Sequence, residues 1–151
     1  MLDHNSIRNN YLAYGLTADQ LGRVASLATE RTLTAGEVLC RHGDVGGEMY
    51  IVLEGHLSVQ TAEGEHLADV GPNSVVGEMG LVETRPRSAT VVAKDVVRVA
   101  AIRSSDLREE MVTDGHLGFL MLCNITRVLS DRLRHADAKL DAMMIAPEEE
   151  K

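Results

Sequence analysis

Aromatic side chains are nearly missing from this chain: Phe119, Tyr11, Tyr14 and Tyr50 are all there are, and tryptophan is absent. A core must therefore be assembled from Val, Leu, Ile, Ala and Met. Cysteine is scarce as well. Cys40 and Cys123 lie in different segments among apolar neighbours, which points to two buried free thiols rather than a disulfide or a metal pair. Positive charge is in deficit, with 15 Lys and Arg against 23 Asp and Glu and a formal net charge of −8. A broad basic surface for phosphate backbones is excluded on that count, and direct nucleic-acid binding is not expected. One local anion site is still permitted, because the field in a pocket depends on its neighbours and not on the whole-chain sum. No apolar run approaches the roughly 20 residues of a membrane span. Residues 1–10 also lack the charged head and apolar stretch of a signal peptide, so a soluble, cytoplasmic protein with no membrane partner is expected.

Metal and enzyme chemistry find little support. His4, His42, His56, His66, His116 and His135 form no HxH or HExxH motif and no close pair on one element. A metal-binding cupin, the rival β-roll, would want such a cluster, so no metal or cofactor is expected. Nothing resembles an activated nucleophile, and Ser104-Ser105-Asp106 reads as a helix start, not as catalytic groups. No catalytic residue is assigned.

What the chain does have is 151 residues, 44% of them hydrophobic and 25% charged, enough for one domain with a real core. The opening is helical. A short helix is predicted around Ser6–Ala13, ending near Gly15, and Thr17 and Gln20 form a capping box before Leu21, Val24, Ala25, Leu27 and Ala28. From about Glu30 the period changes to short β-leaning runs at Thr32–Leu33, Val38–Arg41, Met49–Leu53, Leu57–Thr61, His66–Val70, Ser88–Ala93 and Val96–Ile102. Glycine-bearing turns separate them, and seven or eight strands at this spacing predict an antiparallel roll or barrel. Helical pattern returns after Ser104, the expected cap of a short helix through Met111. A long helix then follows from about Asp114 to Met144, with an apolar stripe through Leu117, Leu120, Leu122, Ile125, Val128, Leu129, Leu133, Ala136 and Leu140. That stripe needs a partner: the roll, a second copy, or both. The acidic tail Pro147–Lys151 is expected to fray.

The stretch that carries chemistry is Val76–Ala93, VGEMGLVETRPRSATVVA. Gly77 allows a tight turn, after which Glu78, Met79, Gly80 and Leu81 can form one helical turn whose amides favour an anion. Arg87 sits at the lip of a β-run that Ala89, Val91 and Ala93 anchor, and its planar fork of donors suits phosphate oxygens. Glu78 would repel a phosphate, so it needs another task, such as accepting from a sugar hydroxyl. The plain alternative is a surface ion pair on an ordinary hairpin, but such a pair would not need Gly77, Gly80 and Ala89 around it.

This segment resembles the phosphate-binding cassette of cyclic-nucleotide-binding domains, the family of catabolite activator proteins, cAMP-dependent kinase regulatory subunits and cyclic-nucleotide-gated channels. Val76, Gly77, Glu78, Gly80, Leu81, Arg87, Ser88, Ala89, Val91 and Ala93 fill the specified places of its pattern. Upstream, Leu39-Cys40, Gly43-Asp44, Met49–Val52 and Gly55 match the family's strand–turn–strand approach, with His42 as a slight departure.

The resemblance implies an α+β fold: a jelly-roll-like antiparallel β-roll of about eight strands over about 30–102. N-terminal helices over about 5–28 and C-terminal helices over about 104–144, the last a lid, complete one domain spanning 1–151. It further implies a regulatory sensor for a 3′,5′-cyclic nucleotide, with Arg87 on the exocyclic phosphate oxygens and Glu78 on the ribose 2′-hydroxyl. Met79 completes that cassette turn, the amides of Gly80 and Leu81 cap the phosphate, and Ser88 beside Ala89 adds a donor. Val70 is a candidate for the base wall. Arg132 and Ala136, one turn apart on the long helix, are candidates for the lid: Arg132 either snorkels or reaches Glu78 or the base, while Ala136 and Asp137 stand where activators carry hydroxyl residues. Ser88 does not separate the bases, and cAMP is preferred over cGMP. The expected assembly is a monomer or weak homodimer acting on an output partner that the residues do not identify. A ligand-free scaffold, a dimerisation module, or a transcription regulator lacking its DNA-binding module are the alternatives.

Overall fold

The protein is described by a computed structural model covering residues 2–149, with side chains through Met143. The capping box forms as its spacing predicts. Thr17 Oγ1 accepts from the Gln20 N–H (3.1 Å) and Gln20 Oε1 accepts from the Thr17 N–H (2.9 Å), starting α1 (Ala18–Ser26), which buries Leu21, Val24 and Ala25. The helix expected over Ser6–Ala13 is shorter than that. Only Tyr11–Ala13 forms a single 3-10 turn, because Asn10 supplies the cap, accepting from the Leu12 N–H at 3.0 Å. Residues before it are turns in which the Asp3 carboxylate accepts from the Asn5 and Ser6 amides.

Eight strands follow: β1 (Ala28–Leu33), β2 (Val38–Cys40), β3 (Glu48–Glu54), β4 (Leu57–Gln60), β5 (His66–Val70), β6 (Val75–Val76), β7 (Thr90–Ala93) and β8 (Val97–Arg103). They pair antiparallel in two four-stranded sheets, ordered β1-β8-β3-β6 and β2-β7-β4-β5. Strand alternation assigns the core. In β3 and β8, Tyr50, Val52, Val97, Val99 and Ala101 face the inside of the roll with Leu33, Leu57, Val91 and Ala93. Met49, Ile51, Ala100 and Ile102 face the other way, onto the helices. Both faces of this sheet are therefore buried, which is why β8 reads as a nearly continuous apolar run. The expected fold class holds; β1 is longer than its apolar residues indicated because it is a polar edge strand.

Ser104 does not cap the next helix. It is the first residue of α2 (Ser104–Thr113), and the cap position falls on Arg103 without a side-chain bond. Asp114 breaks the chain from α2 and starts α3 (Gly115–Glu149), its carboxylate accepting from the Leu117 N–H at 3.2 Å. The early part of α3 is core: Leu117, Met121 and Ile125 are at most 2% exposed, and Asn124 donates to the carbonyls of Leu12 (2.9 Å) and Tyr14 (3.0 Å). Later positions of the predicted stripe, Leu133 and Leu140, are open to solvent. The tail expected to fray continues the helical backbone to Glu149, and Glu150 and Lys151 lie outside the described residues.

Candidate functional site

A cavity of about 620 Å³ opens where the two sequence motifs meet. The meeting is made by backbone bonds: the Arg87 N–H donates to the Asp44 carbonyl (2.8 Å), the Gly43 N–H donates to the Arg87 carbonyl (2.8 Å), and Val45 bridges Pro86. The turn between β2 and β3 thus holds Arg87 in place from the side opposite the cassette.

The Arg87 guanidinium lies in a slot that glycine makes. Gly77 has φ +85°, and a Cβ there would stand 2.4 Å from Arg87 Nη1; a Cβ on Gly46 would stand 2.8 Å from Nε. Within the slot, Nη2 donates to the Glu48 carbonyl and the guanidinium carbon sits 5.7 Å from the Tyr50 ring centroid. No carboxylate forms an ion pair with Arg87 among the described residues. Its charge is balanced only by a carbonyl and a ring face, an arrangement that leaves it available to an anion.

Glu78 opens the 3-10 turn Glu78–Leu81 and is 7% exposed, on the same cavity. Its partner is Arg132 of α3, with Nη1 3.8 Å from Oε1, a separation of ion-pair but not hydrogen-bond length. A carboxylate placed so keeps lone pairs for a hydroxyl donor. The turn is closed from behind by Arg108 of α2, which donates to the Gly80 carbonyl. Nearby Cys40 also lines the cavity; burial pushes its thiol pKa up and the Arg87 charge opposes this.

Of the residues singled out beforehand, Val70, Gly77, Glu78, Met79, Gly80, Arg87, Ser88, Ala89 and Arg132 all line this one cavity. Leu81, expected to contribute its amide, turns its side chain into the helix-side core, where it is 6% exposed. The Gly80 amide donates to the Gly77 carbonyl at 3.1 Å, closing the 3-10 turn. Ala136 is exposed and lines nothing here, because α3 has left the roll by that point. Sequence reasoning missed Gly46, Glu48, Val59 and Arg108, which come from three separate segments with no shared motif. A doubled glycine, Gly46-Gly47, just before a strand was the one available signal. Among the described residues no group of His, Cys, Asp and Glu could hold a metal, and no helix is long and apolar enough to cross a membrane.

Residues 30–114 match the family described as the cyclic nucleotide-binding domain. The chain is 36% identical over 104 residues to a cyclic nucleotide-gated potassium channel of Mesorhizobium japonicum, covering 69% of this chain and 25% of the channel. It is 28% identical over 144 residues to the cyclic AMP receptor protein of Thermus thermophilus, covering 91% of this chain and 63% of the receptor. In both cases it spans less than two thirds of the relative. The crystallised N-terminal domain of a transcriptional regulator from Streptomyces coelicolor superposes with a TM-score of 0.75 at 28% identity, over 86% of this chain and 93% of that one.

Proposed function

Because the chain belongs to the cyclic nucleotide-binding domain family, we propose that this cavity takes a 3′,5′-cyclic nucleotide, cAMP in preference to cGMP, and that the chain serves as a regulatory sensor. The observation that carries the reading is the glycine-walled slot that holds Arg87 without an acidic partner among the described residues, on the same cavity as a buried Glu78. In this reading Arg87 binds the exocyclic phosphate oxygens and Glu78 accepts from the ribose 2′-hydroxyl. Ser88 adds a donor beside the phosphate, and Val70 and Val59 form the apolar wall for the base. The name of the Thermus thermophilus relative supports cAMP as the ligand.

Ligand would act by preferring one position of α3 over another. Arg132 already reaches from α3 to Glu78, so a change at the ribose is felt on the helix. The exposed stripe on the later turns of α3 then has something to gain from closing over the base, or from a weak pairing with a second copy. The moving helix is the output toward a partner protein.

Calorimetry on Arg87→Ala tests the reading. Losing a charge-assisted phosphate contact costs about 2–5 kcal/mol, or roughly 30- to 4000-fold in cyclic-nucleotide affinity, without loss of fold. An Arg87→Ala protein that binds cAMP as tightly as the parent would remove the phosphate assignment.

A further inference from the structure

Arg87 forms no ion pair among the described residues, yet an acidic residue touches it. The Glu48 carbonyl accepts from Arg87 Nη2, and both residues line the cavity. An arginine and a glutamate in contact ordinarily join their charges. The Glu48 carboxylate spends its charge elsewhere. Arg31 of β1 takes it, with Nη2 2.8 Å from each carboxylate oxygen. The Tyr50 hydroxyl donates to the same carboxylate at 3.2 Å.

Strand register explains how Arg31 arrives there. Alternation puts Glu48, Tyr50 and Val52 of β3 on one face, the inside of the roll. Val99 of β8 pairs with Val52 on one side and with Arg31 on the other, which brings Arg31 onto that same face. Both cations bear on the Tyr50 ring, with the guanidinium carbons of Arg87 and Arg31 at 5.7 Å and 6.0 Å from its centroid. Two positive charges thus stand around a single carboxylate, and Arg31 is the one that holds it. Arg31 itself does not line the cavity.

We propose that Arg31 is a positioning residue for the anion site: it binds the Glu48 carboxylate and so reserves the Arg87 guanidinium for the phosphate. This role rests on the assignment of Arg87 to the phosphate. Arg103, the cross-strand neighbour of Glu48, is already paired with Asp106 at 3.0 Å, so a carboxylate released by Arg31 turns to Arg87. Ligand must then displace it before it can bind. An edge-strand arginine outside the cavity thereby sets how open the cavity is to anions.

Arg31 is half exposed, so Arg31→Met keeps an apolar stem and deletes the charge. Calorimetry on the full chain should show Arg31→Met binding cAMP about fivefold more weakly than the parent, the size of one ion pair that ligand has to break. In a Glu48→Gln background, with no carboxylate to release, the same substitution should cost less than about twofold. A fivefold loss that persists in that background would come from the missing positive charge or from the fold, and it would overturn the proposal. So would an Arg31→Met protein that binds as tightly as the parent. A readout without ligand separates this role from the reading beneath it. The Arg87 side-chain Nε–H resonance should move between parent and Arg31→Met and return when Glu48→Gln is added; an unmoved resonance overturns the competition. A parent that binds no cyclic nucleotide while the resonance follows this pattern would sink the phosphate assignment and leave the competition of Arg31 and Arg87 for Glu48 standing.

Discussion

Two halves of α3 carry the same kinds of apolar residue at the same helical spacing, yet one is core and the other is bare. Leu117, Met121 and Ile125 are at most 2% exposed, against 63% for Leu133 and 69% for Met143. What differs is the surroundings. The first half faces Ile7, Leu12 and Leu107 and is clamped at its start, where Arg23 pairs with both Glu110 (2.7 Å) and Asp114 (2.6 Å). In the second half Arg132 reaches Glu78, and the residues that follow it are exposed through Met143. Periodicity reports that a helix face seeks cover and says nothing of what covers it.

The comparison also relocates Arg132. In sequence it interrupts an apolar stripe. In the structure it continues the core-facing row that runs through Leu117, Met121, Ile125 and Val128, and so arrives at the cavity edge beside Glu78. Leu122, Leu129, Leu133 and Leu140 form a neighbouring, exposed row. The single stripe read from sequence is two rows side by side, one occupied and one open.

The sharpest break between the halves is in stability. Leu117→Ala should cost about 2–5 kcal/mol in urea denaturation, as a fully buried leucine leaving a cavity. Leu133→Ala should stay within about 0.5 kcal/mol, as for other surface substitutions. A Leu133→Ala cost equal to that of Leu117→Ala would mean the later half is covered in solution, and the comparison would fail.

Acid should loosen the anchored half first. Asp114 is held at about 2, below its ordinary 3.8, by the Arg23 guanidinium and then by the Leu117 amide and Gln20. Its folded-state pKa is depressed, so its contribution is present in full above about pH 4 and is lost as pH falls toward 2. Denaturation measured across that window should show Asp114→Asn with a shallower loss of stability than the parent. Identical slopes would mean the clamp at the start of α3 adds no pH dependence.

The finest test is dynamic. Without ligand, amides of Val128–Leu140 should exchange faster than those of Leu117–Ile125; saturating cAMP should slow the first group, as the later half closes over the base. Equal protection with and without ligand would end the lid model. Protection that rises with protein concentration instead would assign the open row to a second copy.

Much of the cavity was legible because its chemistry is written in contiguous residues. The run Val76–Ala93 holds both the Arg87 and Glu78 side chains together with the small residues that give them room, and the structure puts them on one cavity. Strand β6 was not legible: Val75–Val76 is too short to alternate, and it is a strand only because β3 offers it partners at Tyr50 and Ile51. The cap expected from Ser104 failed for a similar reason. Its amide donates to the Gly47 carbonyl at 2.9 Å, so β8 runs directly into α2 and leaves no room for a capping residue of that kind.

By itself the sequence determined the capping box of α1, the period of the strands, the cassette turn and the residues able to meet a phosphate and a hydroxyl. These are local: each follows from backbone geometry or side-chain chemistry within a few neighbouring residues. Only the tertiary structure decided which apolar row of α3 would be buried and that Gly46 and Gly77 would wall the same guanidinium. Those outcomes depend on segments tens of residues apart arriving at one place, and the packing of the two sheets and the helices sets that arrival.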